Sequence, residues 1–335
     1  MFLLGRKRTI GLEIDDCEVR AVELEKKRGN IYLLNWGRMT IEPGLVKDGI
    51  INEPQKLGLS ISKLWNERKF KSTSVVLGVS NQGVLVRFAY FPKIPKNKLD
   101  KFIRFQSQEF LPVPLDTIVF DYSVVGEVVD NEDNKKLHVL LVGAKKDMIN
   151  GYIQTLNFAK LEPLDIEVSP LALLRSINKE DKRKVVAVVD INYGLSSIVV
   201  SEFGVPKLAR MVQSNMTLAA KMSACSVEDI ISGQKEFLPE TLAVWSEILA
   251  GEIHTSIGYY LAQRNSRDVD KIILSGRGAN YTGLAENLKD MLNVPVEPIK
   301  PLENIFNKSS IGADFNNKYL DFSLSLSLAY KGMEE

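Results

Sequence analysis

Val185 to Glu202 reads VVAVVDINYGLSSIVVSE, an apolar strand, a polar turn around Gly194 and a second apolar strand. Both arms are rich in β-branched residues, which marks a hairpin with a wide loop. Thr9 to Glu23, TIGLEIDDCEVRAVE, repeats the plan near the start of the chain. Aligned, Glu13 falls under Asp190, Ile14 under Ile191 and Asp15 under Asn192. In each copy a strand ends in an acidic residue, a polar turn follows and a second strand runs back. A hairpin echoed at such a distance implies a duplicated domain rather than a short solenoid repeat. The 335 residues suffice for two domains of ordinary size, each with its own core.

The charge balance excludes several classes. With 25% charged residues and a net charge of +1, the chain has no global field to attract nucleic acid. No apolar run approaches the roughly 18 residues of a spanning helix, so no membrane crossing is expected. In MFLLGRKRTIG the basic residues follow the apolar ones, the wrong order for a secretory signal. Cys17 and Cys225 fall in different halves, which argues against a disulfide framework and for a reducing compartment.

The first hairpin leads to a third strand at Ile31–Met39 and a helix over Asn52–Arg68, with Leu57, Ile61, Leu64 and Trp65 at helical spacing. Strands at Thr73–Val79 and Val84–Phe91 flank the turn Ser80–Gly83. At FPKIPKNK the texture changes. Leu99, Phe102, Ile103 and Phe110 mark a helix face that ends at Leu111, before Pro112 and Pro114. Strands at Thr117–Val125 and Leu137–Gly143 and a helix at Asp147–Lys160 complete a small inserted block between Val84 and Leu161. A short strand at Leu164–Val168 and a helix at Pro170–Ile177 lead to KEDKRK, Lys179 to Lys184, which reads as a solvated hinge. After the central hairpin, Leu208–Met216 leads into a polar, helical region. Pro239 then opens the longest helix, with Leu242, Trp245, Leu249, Ile253, Ile257 and Tyr260 on its buried face. Strand Lys271–Ser275, the tight loop Gly276–Gly278, helix Tyr281–Leu292 and strand Val294–Glu297 follow. The tail Phe322–Tyr330 alternates apolar residues with Ser, a strand by period, while its terminal position suits a closing helix equally.

Two turn loops facing each other, with a glycine loop from a later strand, can cradle a nucleotide. Backbone N–H groups converge on phosphate oxygens and a strand-end acid holds hydrated magnesium. Such loops want glycine and small hydroxyl residues. The first loop here, Ile14-Asp15-Asp16-Cys17, has no glycine and two carboxylates. The second, Asn192 to Ser197, carries Gly194 and the serines Ser196 and Ser197. The third, Gly276-Arg277-Gly278, puts a long cation between its glycines. IILSGRGANYTGL followed by VPVE offers a rival, a dinucleotide-binding βαβ unit, but Tyr281 stands where its third glycine belongs. His138 and His254 have no partner at metal-ligand spacing. Ser80 in GVSNQG lacks the spacing of a nucleophile elbow, and no catalytic residue is assigned. Lys93, Lys96, Lys98, Lys101 and Arg104 make the first inserted helix basic. That is a solvated face, or a contact for acidic lipid or an acidic partner that Arg6-Lys7-Arg8 could assist.

The order of elements resembles the type IV pilus assembly protein PilM family, within the actin-like ATPase superfamily and close to the cell-division protein FtsA. The resemblance runs nearly end to end. Its most specific stretches are FPKIPKNKLDKFIRFQSQEFLPVPLDTIVFDYSVV and VLLVGAKKDMINGYIQTLNFAKLEPLDIEVSPLALLRSI. It implies a duplicated, ribonuclease-H-like α/β fold. Residues 1–84 with 161–183 would form the first lobe and 85–160 an FtsA-like inserted subdomain. Residues 184–335 would form the second lobe, with 206–254 as its smaller subdomain and the tail as a closing helix.

The resemblance further implies a cytoplasmic scaffold, peripheral on the inner face of the inner membrane, that grips the N-terminal peptide of a PilN-like bitopic protein and meets other platform or motor proteins. The groove would be lined by Leu85, Arg87, Phe102, Phe105, Leu111 and Phe120. The nucleotide residues would be Glu13, Asp15, Asp190, Asn192, Gly194, Ser196, Gly276, Arg277 and Gly278. These depart from the family. Glu13-Ile14-Asp15-Asp16 replaces an Asp-Ile-Gly-Ser type loop, Asn192 and Arg277 stand where glycines are usual, and the Glu-x-x-Lys pattern is lost within Ile231 to Gln234. The expectation is therefore weakened or lost binding of ATP with magnesium. An active ATPase and an FtsA-like filament former remain as alternatives, and self-association is open.

Overall fold

A computed structural model of the chain describes residues 7–129, 134–226, 229–230, 235, 237–263, 266–300, 305–307, 315–316 and 318–334. It opens with the meander β1 (Lys7–Ile14), β2 (Glu18–Lys27) and β3 (Asn30–Thr40), then the minimal hairpin β4 (Val46–Lys47) and β5 (Ile50–Ile51), helix α1 (Pro54–Arg68) and β6 (Ser74–Val79). Next come β7 (Val84–Pro92), α2 (Lys96–Gln106), β8 (Ile118–Val129), β9 (Lys135–Lys145), α3 (Lys146–Ala159), β10 (Glu162–Val168) and the single turn α4 (Ser169–Ala172). The second half holds β11 (Val185–Asp190), β12 (Ser196–Glu202), β13 (Val205–Val212), α5 (Met216–Met222), α6 (Pro239–Leu261), β14 (Lys271–Ser275), α7 (Leu284–Leu292) and β15 (Val296–Pro298). The short β16 (Ile305–Asn307) and the closing helix α8 (Ser323–Lys331) end the fold.

Two sheets repeat one plan. The first runs β10-β6-β1-β2-β3, extended by β16, and the second runs β13-β12-β11-β14-β15. In both, an antiparallel three-strand meander is continued by two parallel strands. β1 and β11 are the central strands, and every residue of β11 is buried, as expected where both faces of a sheet are covered. The echo between the two hairpins is therefore a true duplication, and the chain has the two-lobed actin-like α/β architecture. Each sheet has its own apolar layer, and a third cluster joins them: Val76 and Leu173 of the first half meet Val186, Val188 and Ile273 of the second across Leu324 and Leu328 of α8.

The tail is helical, against its own alternation. Residues Ser323 to Ala329 are all buried. Leu324 and Leu328 enter the inter-sheet cluster, whereas Leu326 and Ala329 face Val22, Leu24 and Trp36. A helix covered on every side carries no amphipathic stripe, so its period tells nothing about its conformation. Its serines satisfy one another and their neighbours. Ser327 bonds the Ser323 carbonyl at 2.7 Å and Ser325 donates to Glu13 at 3.2 Å. Backbone contact with β1 is close enough that a Cβ on Gly11 would lie 1.8 Å from the Ser325 carbonyl oxygen.

β7, β9 and β8 form a separate three-stranded sheet, with Ile103 of α2 buried against Phe91 and Val139 on one face. α3, expected within the inserted block, instead packs on α1 and contributes Tyr152 and Leu156 to the first core. α2 stops at Gln106 and gives way to a 3-10 turn, Ser107–Glu109, so Leu111 lies beyond the helix. KEDKRK is solvated at Lys179, Glu180, Lys182 and Arg183, but not at Asp181. It forms the turn Asp181–Arg183, and buried Asp181 meets Lys271 at 3.0 Å and Asn178 at 2.8 Å. The helix expected from Tyr281 begins at Leu284, because Gly283 takes φ +88° just before it. α6 buries Trp245, Leu249, Ile253 and Tyr260 as the spacing predicts, with Leu242 and Ile257 half-buried.

Gly11→Val should displace α8 from β1. We expect a loss of about 3 kcal/mol in urea unfolding, because a branched side chain must push a helix backbone off a strand.

Candidate functional site

The two hairpin turns face each other between the lobes, and the third loop joins them from β14. Gly276 takes φ +79°, and a Cβ there would sit 2.6 Å from the Ile191 carbonyl oxygen. Gly278 donates to that same carbonyl at 2.9 Å, and its own Cβ would lie 2.3 Å from the Ile191 side chain. These glycines hold the third loop against the end of β11.

The Asp15 carboxylate crosses from the first lobe to the second. It accepts from the backbone N–H groups of Tyr193 and Gly194, each at 3.1 Å, and from Asp16 N–H at 2.8 Å. Two successive amides in a tight turn make an anion-binding nest. Here the anion they hold is a side chain of the protein itself. Asp16 stands against the other side of the turn, where a Cβ on Gly194 would meet its carboxylate at 2.3 Å.

Arg20 is the residue the motif reading missed. It lies on β2 directly opposite Glu13, and its side chain is fully buried. One terminal nitrogen reaches Glu13 at 2.6 Å, Asp15 at 3.2 Å and the Asn192 side-chain oxygen at 3.2 Å. The other lies 3.1 Å from Glu18, in ion-pair contact. Asn192 in turn donates to Asp190 at 2.6 Å. One guanidinium thus serves Glu13, Asp15 and Glu18 directly and Asp190 through Asn192. The signal was present in the sequence: Glu18 and Arg20 alternate with apolar residues on a strand too buried to leave them in water.

The remaining expected residues divide. Glu13, Asp15, Asp190, Asn192, Gly194, Gly276 and Gly278 converge on this cleft. Ser196 turns away and donates to the Ser214 carbonyl at 2.9 Å. Arg277 points to the far end, where Asp321 receives it, along with Arg38 at 2.9 Å and Asn280 at 2.6 Å. These residues border a cavity of about 480 Å³ whose wall includes the stacked rings of Phe237 and Tyr281, 4.4 Å apart. Ile231 to Gln234 lie outside the described residues.

The excess of carboxylates shifts their protonation. Burial pushes Glu13 up to about 8, against the pull of Arg20, and Asp190, Asp15 and Glu18 add to the rise. Burial also raises Glu18 and Asp190. Asp16 rises to about 6, restrained by the amides of Asp48 and Gly49. With so many acids around one cation, some are held protonated at neutral pH.

The expected groove residues share the opposite side of the inserted sheet. Phe102 and Phe120 belong to the cluster under α2, Arg104 lies over Phe120 at 5.5 Å, Leu111 is buried, and Phe105 is 71% exposed. Leu85 and Arg87 alternate onto that face with Ala89 and Phe91. The other face carries Leu140, Val142, Asp121 and Ser123. It borders a cleft of about 540 Å³ against β10 and Arg175, with Gly204 and Pro206 of the second lobe at its rim. β10 is the outermost strand of its sheet there.

A family model described as type IV pilus assembly protein PilM matches residues 11–210. Among solved structures, a PilM-PilN type IV pilus biogenesis complex is similar at TM-score 0.83 and 23% identity, covering 98% of this chain and 99% of that one. The ethanolamine utilization protein EutJ from Carboxydothermus hydrogenoformans is similar at TM-score 0.57 and 13% identity, covering 97% and 90%. No helix among the described residues is long and apolar enough to cross a membrane.

The Glu13 carboxyl binds its proton more tightly in the folded chain than in the unfolded one. Its contribution to stability is complete below about pH 4.5 and is lost as pH rises through about 8. Glu13→Gln should therefore flatten the fall in thermal midpoint between about pH 5.5 and about pH 8.5. Arg20→Ala leaves the carboxylates without their cation, and chemical denaturation should show a loss of about 3–5 kcal/mol.

Proposed function

The chain belongs to the type IV pilus assembly PilM family, and on that premise we propose that it is a pilus scaffold whose nucleotide site has been given over to holding its lobes together. The observation that carries this is the Asp15 carboxylate on the Tyr193 and Gly194 amides. A phosphate needs those same N–H groups. To reach them it would have to expel a hydrogen-bonded carboxylate and then lie beside Glu13 and Asp16. The fit is poor on charge as well as on space, since a triphosphate brings further negative charge to a site already short of cations. Arg277, the one new cation in the loops, is held away by Asp321.

The fold is then kept for what it binds. The solved relative is a complex with PilN, and we place the corresponding partner here, as the N-terminal cytoplasmic peptide of a PilN-like bitopic membrane protein. The cleft between the inserted sheet and β10 suits an extended peptide. The free edge of β10 offers backbone hydrogen bonds, and Leu140 and Val142 offer an apolar floor. The residues around Leu85, Arg87 and Phe105 belong to the other face and would not touch it. Such a partner places the chain at the cytoplasmic face of the inner membrane, beside the platform and motor proteins.

Two measurements test the two halves separately. Calorimetric titration with ATP and magnesium should show no binding tighter than about 1 mM; micromolar affinity refutes the filled site. With the partner's N-terminal peptide, Ser123→Trp should weaken binding at least about tenfold by filling the cleft, and Phe105→Ala should leave it unchanged. The reverse pattern returns the groove to the α2 face.

A further inference from the structure

α2 is strongly basic, and neither the interlobe site nor the peptide cleft uses it. From Lys93 to Arg104 the cations Lys93, Lys96, Lys98, Lys101 and Arg104 meet a single acid, Asp100, in a chain whose net charge is only +1. Ile103 is buried against the inserted sheet, and Leu99 and Phe102 lie half-buried beside it. Lys98, Lys101 and Phe105 follow one another at spacings of three and four residues, which aligns them along the helix side away from Ile103. All three are exposed, and Phe105, at 71%, is the most exposed large apolar side chain among the described residues. Helix stability does not account for the pattern. Lys96 and Lys98 sit in the first turn, where the macrodipole disfavours cations and no acid offsets them. Arg104 bonds Asp100 at 3.1 Å and Lys93 reaches Glu127 at 2.7 Å. No carboxylate among the described residues lies within ion-pair distance of Lys96, Lys98 or Lys101.

We propose that this side of α2 docks on an anionic lipid bilayer, the Phe105 ring entering the headgroup layer and the lysine ammonium groups meeting lipid phosphates. The charge match is direct, since cations without protein partners face a surface of phosphate anions. The residue types favour a bilayer over an acidic protein. Arginine suits fixed, bidentate carboxylates, whereas lysine is a flexible point charge. The outward cations Lys98 and Lys101 are lysines, and the arginine of the helix is engaged by Asp100 and lies over Phe120. Headgroup phosphates are fluid and hold no fixed geometry, so mobile point charges fit them better than a rigid fork. A protein partner would need a pocket cut for Phe105, but a bilayer offers apolar depth wherever the ring arrives, and lysine stems can extend beside it to keep their charges at the headgroups. The N-terminal end of α2 adds its own positive pole. One short helix carries few charges and one inserting ring, so the contact is weak, reversible and sensitive to salt. The membrane location comes from the proposed pilus role, but the contact is read from α2 itself and needs no partner peptide.

Co-sedimentation of the full chain with vesicles of phosphatidylglycerol and phosphatidylethanolamine tests it, with no peptide present. We expect binding at least about tenfold weaker to phosphatidylcholine vesicles, and a steep loss as salt rises from about 0.05 M to about 0.5 M. Lys98→Glu combined with Lys101→Glu should weaken binding to the anionic vesicles at least about tenfold. Both side chains are exposed, so the thermal midpoint should stay where it is. Phe105→Trp should bind, shift its emission to the blue and be quenched by lipids brominated in the acyl chain. Trp36, Trp65 and Trp245 are buried and should not respond. Ser123→Trp, which fills the peptide cleft, should leave vesicle binding unchanged, so failure here and failure of the peptide reading are separate results. Equal binding to neutral vesicles, no binding at all, indifference to the lysine substitutions, an unmoved emission from Phe105→Trp, or capture of polyglutamate in place of vesicles would overturn the proposal.

Discussion

One buried arginine holds the centre of this molecule together. Arg20 sits where the first hairpin turns back, and its partners come from both lobes: Glu13, Asp15 and Glu18 from the first, Asn192 from the second. Buried charges are tolerable only when paired; the three ion partners of Arg20 lie in the first lobe, and the Asn192 side chain adds a hydrogen bond from the second. The Asp15 link to the Tyr193 and Gly194 amides runs through the same place. In a two-lobed body of this kind, a ligand between the turns could serve as the bridge. In this chain a side chain of one lobe bridges to the backbone of the other.

The closing helix makes the arrangement permanent in a second way. α8 lies between the two sheets, with leucines in the shared apolar cluster and Ser325 bonded to Glu13. Asp321, two residues before it, gathers Arg38 from β3 and both Arg277 and Asn280 from the turn after β14. The end of the chain thus touches both the acidic cluster and the cavity beside the third loop. Lobe opening would have to break these contacts together, which favours a rigid body presenting fixed surfaces. A protein that serves as a support is consistent with that rigidity.

Much of this was legible from residues alone where a pattern had one physical meaning. The two hairpins follow from β-branched runs broken by a polar turn, on strands dry on both faces, while the helix over Leu57 to Trp65 and the buried face of the helix opening at Pro239 follow from periodicity, because each of those helices has one wet side and one dry side. The closing helix defeated the same rule, since SLSLSL is dry on every side. The turn at Lys179–Lys184 defeated it differently. Four of its charges are solvated, but Asp181 is buried against Lys271, which is far away in sequence.

The sequence by itself determined the duplicated α/β body and the presence of carboxylates where a phosphate cradle would need glycine. Both are local statements, carried by strand patterning and by the residues of a single turn. Only the tertiary structure decided where those carboxylates go: that Asp15 fills the opposing amides, that Arg20 is their common partner, and that Asp321 draws Arg277 aside. The reason is physical. Strand and helix preferences are set by near neighbours, whereas the pairing of a buried charge depends on which distant segment supplies the opposite charge when the chain closes.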